Sequence, residues 1–469
     1  MALETDREKC AHLLRRFGLG ASEAELDFYL VDGFNGAIDR LVEYESRPEG
    51  FDSQPWQMVG QKDKPVPTQF MPGWWVARLL VTQRPLQEKL TLFWHDHFAT
   101  SGEKVKNSYA LLQQNNTLRE HAKGNFRVML KQISRDPAML NWLDNKDNVK
   151  GKPNENFARE VMELFTLGIG HYTERDIQEA SRAFTGWTGL PPRYKAYEPG
   201  ETPRGSFIIR PRLHDAGSKT IFGKTGNFGG DDVLDMLCDM NQTSLYITSK
   251  LLNWFVYPNP EPAYVERMAK VFRDSQLDIE TLIKAIMRSS EFYSPKAYRT
   301  VVKSPVDYVI PTFRQMGIGQ IVADALQDEG LGRRYLERVR DATTSMKNMG
   351  QYLFFPPDVA GWDGGTAWIT TATMTERIGW ADRIFGVKNG RRTGASIPWE
   401  GLFADDPSPR GVVDRLSSIL DAPVSPDRRK IAEEAAGKAL GNGLTPQNAS
   451  MVGAAVARML FATPEFQFC

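Results

Sequence analysis

Cysteine is scarce: Cys10, Cys238 and Cys469 are widely separated in 469 residues, and no C-x-x-C occurs. An odd, scattered set offers neither a disulfide framework nor a thiolate zinc site, and it fits a reducing compartment. Charge of one sign is missing too. Lys plus Arg and Asp plus Glu each number 58, so no global field recruits nucleic acid or an anionic membrane. No run of ~18 apolar residues occurs, so nothing in the sequence reads as a membrane span. The opening "MALETDREKCAHLLRRFG" carries early acids and no apolar h-region, so it does not read as a secretory signal. The expected location is cytoplasmic for the sequence as written, or extracytoplasmic if a leader has been trimmed.

Several catalytic signatures are also absent. No H-E-x-x-H, G-x-S-x-G or zinc-deaminase pattern is present. "GSKTIFGKTG" resembles a phosphate loop but fails on spacing, with five residues between Gly217 and Gly223 where four are needed. "GLGASE" lacks the third glycine of a dinucleotide fingerprint and joins two helices.

What is there is mostly helical periodicity. Apolar content of 41% and charged content of 25% are those of a globular protein. Length alone allows two to four domains at ~100–200 residues each. Ser22 with Glu25, and Thr173 with Asp176, read as capping boxes, and Pro85 suits a first helical turn. Residues 46–72 read as a surface loop. Between 188 and 230, "GSFIIRPRLHDAGSKTIFG" has two short β-prone runs around "HDAG" and reads as a hairpin. The expected fold is mainly α, a multi-helix orthogonal or bundle-like globule with a small inserted β-hairpin near 205–223. The expected organisation is a main helical domain over 1–387 and a C-terminal helical segment over 388–469 packed on it, or else one continuous domain. Residues 388–410 are the best candidate linker. "SSEFYS" and "ATPEFQF" echo each other, and the simplest reading is a shared way to stop a helix and bury Phe292 and Phe466.

"FWHDHFATSGEK" holds two of the six histidines. Leu86, Leu90, Phe93, Trp94 and His97 follow helical spacing and form one apolar stripe. His95 lies about 200° around the helix from His97, so the two cannot chelate one ion. His97 is the candidate, either as a hydrogen-bonded core residue or as a ligand. In "NENFAREVMELFTLGIGHYT", Asn156, Glu160 and Glu163 lie along one flank of a helix at spacings of four and three. Acids so placed can share a cation or pair with arginines such as Arg159 and Arg182. His171 is expected to be solvated. "LHDAG" sets His214 and Asp215 at the expected hairpin tip, as turn residues or as a polar pair. "FFPPDVAGWDGGTAWI" is an aromatic-rich loop that can line a ligand pocket or cap the core. Trp362 and Trp368 are its aromatic candidates, and Asp358 and Asp363 its polar ones.

These stretches together resemble the bacterial family filed as domain of unknown function 1800, from "HLLRRFGLGASEAEL" through to "ATPEFQF". The resemblance implies a largely helical fold. It also implies a partner, since members are often encoded beside a sulfatase-like protein, commonly an exported one, which points to an envelope-related role. The chain departs from the family by lacking an export signal. It also has Phe165 where many relatives carry His after the second Glu of "AREVMEL", leaving an E-x-x-E-x-H metal motif incomplete. His97, Asn156, Glu160, Glu163, His214 and Asp215 all fall inside matching stretches.

Two functions are expected as alternatives. In the first, His97, Glu160 and His214 hold one divalent metal ion, Glu163 and Asp215 act as acid–base groups, and Asn156, Trp362, Asp363 and Trp368 line a ligand pocket. Hydrolysis or oxygen chemistry at iron would follow. In the second, the protein is a non-catalytic helical accessory or binding protein working with the sulfatase-like partner.

Overall fold

The computed structural model describes residues 3–55, 66–192, 205–327, 332–388, 391–392 and 397–469. Parts of the expected loop at 46–72 and of the expected linker at 388–410 lie outside these residues. The chain is mainly helical, and the described residues include three two-stranded antiparallel sheets. No helix among them is long and apolar enough to cross a membrane.

Local sequence sets many of the helix starts. Thr5, Ser22 and Thr173 each accept an amide hydrogen bond from the third helical residue, whose own carboxylate reaches back, as the capping boxes require. Pro85 opens helix Pro85–His97 and Pro72 stands in the first turn of helix Met71–Val81.

The buried apolar side chains form two clusters. One gathers helices Asp6–Phe17, Gly33–Val42 and most of the chain between Leu118 and Ala297. The other gathers helix Met71–Val81 and the chain from Val306 to Phe466. Residues between Trp399 and Phe466 therefore share a core with residues between Met71 and Val387. Helix Pro85–His97 lies between the two clusters. Its Leu86, Leu90, Phe93 and Trp94 enter the first and its Leu92 the second. The single apolar stripe is thus an incomplete description: eleven of the thirteen residues of this helix are buried.

Burying a helix on all sides obliges its polar residues to find partners. Glu88, fully buried, accepts from Trp75 Nε1 at 2.7 Å, Arg78 Nε at 3.1 Å and Arg119 Nη2 at 3.0 Å. Burial alone would push its carboxyl up, but Arg119 and Arg78 more than reverse this and hold it below the usual carboxylate range. Lys89, on the same helix, pairs with Asp307.

The sheets differ in detail from the expected hairpin. Ser206–Ile209 pairs with Trp187–Leu190, while Lys219–Ile221 pairs with Lys224–Gly226. His214 and Asp215 therefore lie in the connection between two sheets rather than at a hairpin tip. The true hairpin turns one step later, at Phe222 and Gly223, both with positive φ. The two echoed Glu-Phe segments do bury their aromatic rings, Phe292 and Phe466 both being fully inaccessible.

Glu88→Ala leaves the Arg78 and Arg119 guanidiniums without their carboxylate. The expected loss is about 3–5 kcal/mol in urea unfolding. A loss under about 1 kcal/mol would show that the network does not hold the two cores to this helix.

Candidate functional site

The C-terminal end of helix Pro85–His97 carries three consecutive polar residues, and each holds a different backbone atom. His95 Nε2 accepts from the Phe354 amide at 3.1 Å. Asp96 Oδ1 accepts from the Trp362 amide at 2.8 Å. His97 Nε2 donates to the Phe165 carbonyl at 3.2 Å. The first two pin the aromatic loop that the sequence singled out, and the third pins the helix bearing Glu160 and Glu163. Gly361 is required here, because a Cβ would stand 2.4 Å from Asp96 Oδ1 and its φ is +91°.

His97 is 2% exposed, and the Phe93, Trp94, Phe98, Phe126 and Phe165 rings surround it with centroids 4.5 to 6.4 Å away. The carbonyl it faces can only accept, so the ring is the neutral Nε2–H tautomer. Its Nδ1 is buried without a partner. Burial, then the positive field of Lys250, hold its pKa well below the usual histidine range. Burial likewise pushes His95 down to about 3. Asp96 moves the other way, up to about 6, because burial disfavours its charge. Lys250, near the Tyr246 ring at 5.7 Å, is lowered by burial and supported by Asp96.

Helix Asn156–Met162 continues into a π-helical turn, Glu163–Leu167, in which the Gly168 amide reaches back to the Glu163 carbonyl at 3.1 Å. Such turns are rare and often mark functional sites. Here the turn redirects carbonyls that other elements then satisfy. Tyr246 Oη donates to Leu164 at 3.1 Å, His97 to Phe165, and Gln242 Nε2 to Leu167 at 2.9 Å. Glu163, on the same turn, accepts from the Tyr172 hydroxyl. Glu160 is half-buried, and burial, then the nearby Glu163, raise its pKa. Asn156 donates from Nδ2 to the Leu143 carbonyl at 3.1 Å.

His214 and Asp215 are held elsewhere. His214 Nδ1 lies 3.0 Å from the Thr185 carbonyl, and Asp215 accepts from Arg182 Nε at 2.8 Å. That charge-assisted bond, then the Gly217 amide, lower Asp215 to about 2. Arg182, anticipated as a partner of Glu160 or Glu163, pairs instead with Asp215 and Glu179. Arg159 pairs with Glu155 and Glu174, not with Glu160 or Glu163. His171 is exposed, as expected. Trp362 and Trp368 are 9% and 7% exposed, and Asp358 and Asp363 are exposed. Trp362 leans on the His95 ring, with centroids 5.8 Å apart, and Trp368 covers Gly350.

Among the described residues, no group of three or more His, Cys, Asp or Glu is placed to hold a metal ion. His97 bonds the π turn that carries Glu163, Glu160 lies one turn earlier, and Asp96 and Lys250, which sequence reasoning missed, act on each other beside His97. His214 is directed to a different element. Asp96 stood in plain view between the two histidines, but its partner is a main-chain amide, and no side-chain pattern records that.

The fold and these contacts define a mainly helical protein with small two-stranded antiparallel sheets, in which His95, Asp96 and His97 at the end of one buried helix hold the backbone of neighbouring segments. The chain belongs to the family described as "Protein of unknown function (DUF1800)", which matches residues 12–468. No curated protein matches the chain, and no solved structure does.

The depressed histidines fix a sign. His95 stays neutral in the folded chain while the unfolded chain gains a proton below ~6.5, so its contribution is complete at pH 7 and fades as pH falls toward about 3. His95→Gln is expected to lower the urea midpoint most at pH 7, with the gap to wild type closing as pH approaches 4. A gap that stays constant across this range would show that the imidazole is not held neutral.

Proposed function

We propose that the protein is a non-catalytic helical accessory or binding protein, with a sulfatase-like protein encoded nearby as its partner. One observation carries this reading. The polar groups of the motif stretches hold neighbouring segments: His95 and Asp96 the aromatic loop, His97 the π turn, His214 the Thr185 carbonyl and Asp215 the Arg182 guanidinium. A side chain engaged with backbone in this way builds a rigid surface rather than offering lone pairs to a substrate. The partner comes from the family resemblance.

A second reading, a metal-dependent enzyme of hydrolytic or oxygen-using type, has one observation in its favour. Glu160 and Glu163 are adjacent on one helix, and their mutual repulsion helps raise the Glu160 pKa. A divalent cation between them would relieve that repulsion.

Metal analysis of the purified protein, as wild type, His97→Ala and Glu160→Gln, separates the two. The accessory reading expects no stoichiometric divalent metal in any of them. About one metal ion per chain in wild type, lost in both variants, would overturn it in favour of the enzyme. Mixing the protein with its sulfatase-like neighbour at about 10 µM and following sedimentation should show a faster complex, as expected for a partner of micromolar affinity. Unchanged sedimentation of both would remove the proposed partner.

A further inference from the structure

Where the two apolar clusters meet behind helix Asp6–Phe17, the interior collects positive charge. Arg15 and Arg299 share one carboxylate: Arg15 Nη1 reaches Asp421 Oδ2 at 2.6 Å, and Arg299 Nη2 reaches Asp421 Oδ1 at 2.8 Å. Arg16, 2% exposed, donates to the Val256 and Ala297 carbonyls and lies 3.4 Å from the Cys469 sulfur. Lys303, 8% exposed, places Nζ 3.7 Å from the centre of the Phe466 ring. Among the described residues no carboxylate pairs with Lys303 or Arg16, and Asp421 is the one acid paired with Arg15 and Arg299. Asp307, the next acid on the chain after Lys303, is taken by Lys89.

Asp421 is thus the one carboxylate ion-paired with any of these four cations among the described residues, while Cys469 acts on Arg16, Arg299 and Lys303 and Asp307 on Arg16 without pairing. Hydrogen bonding is incomplete in the same place: Arg15 Nε, Arg16 Nε and Arg299 Nη1 are buried with no partner. Each such atom is costly, and the uncompensated charge more so. The cluster is electrostatically connected, since Arg299, Asp421 and Arg15 all act on the Lys303 ammonium. Burial first, then Arg299, push Lys303 down to about 7, and Cys469 and Asp421 oppose this only in part. The rings of Tyr298 and Phe466 accept part of the field, with Arg15 and Arg299 lying 5.7 and 5.6 Å from the Tyr298 centroid. Aromatic faces soften the imbalance but supply no acceptor oxygen. Asp421 has a 26% exposed side chain, so the cluster borders the surface at that residue.

We infer that this junction takes one small inorganic oxyanion, sulfate or phosphate, between Arg15, Arg299 and Lys303. Diverging guanidinium N–H groups and one ammonium suit an anion with several acceptor oxygens better than a spherical halide. The bound ion would neutralise the excess charge and tie the N-terminal helix to the Arg299–Lys303 segment and to the turn at Asp421. No chemistry on the ion is implied.

Equilibrium dialysis of the full chain against labelled inorganic phosphate is the direct test. Sulfate should compete, and chloride at equal ionic strength should not. Oxyanion is kept to about 10 mM or less, below the range where sulfate and phosphate stabilise proteins generally by exclusion. The expected result is about one phosphate per chain, with a saturating rise of a few degrees in Tm that chloride does not reproduce. Lys303→Met, which removes the unpaired charge and keeps the bulk, should weaken phosphate at least tenfold. Arg299→Lys, which keeps the Asp421 pairing charge but loses Nη1, provides the same reading if Lys303→Met does not fold. Occupancy below about a tenth per chain at 10 mM phosphate would overturn the inference. So would equal competition by chloride, or unchanged binding in the variant that folds.

Discussion

Helix Pro85–His97 is buried on all sides between two apolar clusters, and the rest of the structure is arranged around that constraint. A helix so placed can keep polar residues only if each finds a partner, because an unpaired buried donor or charge costs about 1–3 kcal/mol or more. The partners come from every direction. Glu88 draws in Trp75, Arg78 and Arg119. Lys89 draws in Asp307 from the second cluster. His95 and Asp96 take the two ends of the 354–362 loop, and His97 takes the π turn. Polar groups on one helix thereby specify how distant segments meet, which apolar contact alone does loosely.

The π turn follows from the same logic. An ordinary helical end would leave its last carbonyls pointing along the axis into solvent or into the core. Widening the turn at Glu163–Leu167 turns three of them toward Tyr246, His97 and Gln242. Gly168, with φ +79° and the Tyr246 ring 3.0 Å from where a Cβ would stand, ends it. The turn also lifts Glu163 toward Tyr172 and leaves Glu160 beside it on the half-buried flank. Rare backbone geometry here has a sufficient structural cause. That tempers the use of a π turn as a sign of catalysis and shifts the weight to Glu160 and Glu163 themselves.

Much of the fold was legible because it is written in local chemistry. The capping boxes at Ser22 and Thr173 and the Pro85 start depend on residues within one turn of each other. Strand pairing was less legible. The β-prone runs beside "HDAG" were visible, but Ser206–Ile209 pairs with a strand before it, and only tertiary packing against Pro137 and Trp187 decides that. His97, read as part of the apolar stripe, is indeed inside, and Glu160 and Glu163, read as one flank of a helix, are half-buried. The roles of His95 and Asp96 were not legible, since a one-stripe helix leaves them facing out and nothing in the sequence announces a second core on that side. Asp215 looked catalytic in type, yet its neighbour in space, Arg182, is thirty-three residues away.

The buried titratable groups pull in opposite directions, and this bears on how a function would be recognised. His12, His95 and His97 are all held neutral by burial, so each favours the folded chain less as pH falls below the ordinary histidine value. Asp96, up to about 6, and Asp136, up to about 7, do the reverse. Their folded forms keep a proton that the unfolded chain has lost, so their contribution is present in acid and fades as pH rises through those values. Asp136 shows why: Oδ1 accepts from the Ala138 and Met139 amides and from Gln114, while Oδ2 is buried with no partner. A protonated Oδ2 is cheaper to bury than a charged one. Shifted pKa values are commonly taken as a mark of active sites. In this chain they arise wherever a polar side chain caps backbone inside an apolar shell. The shift marks burial first.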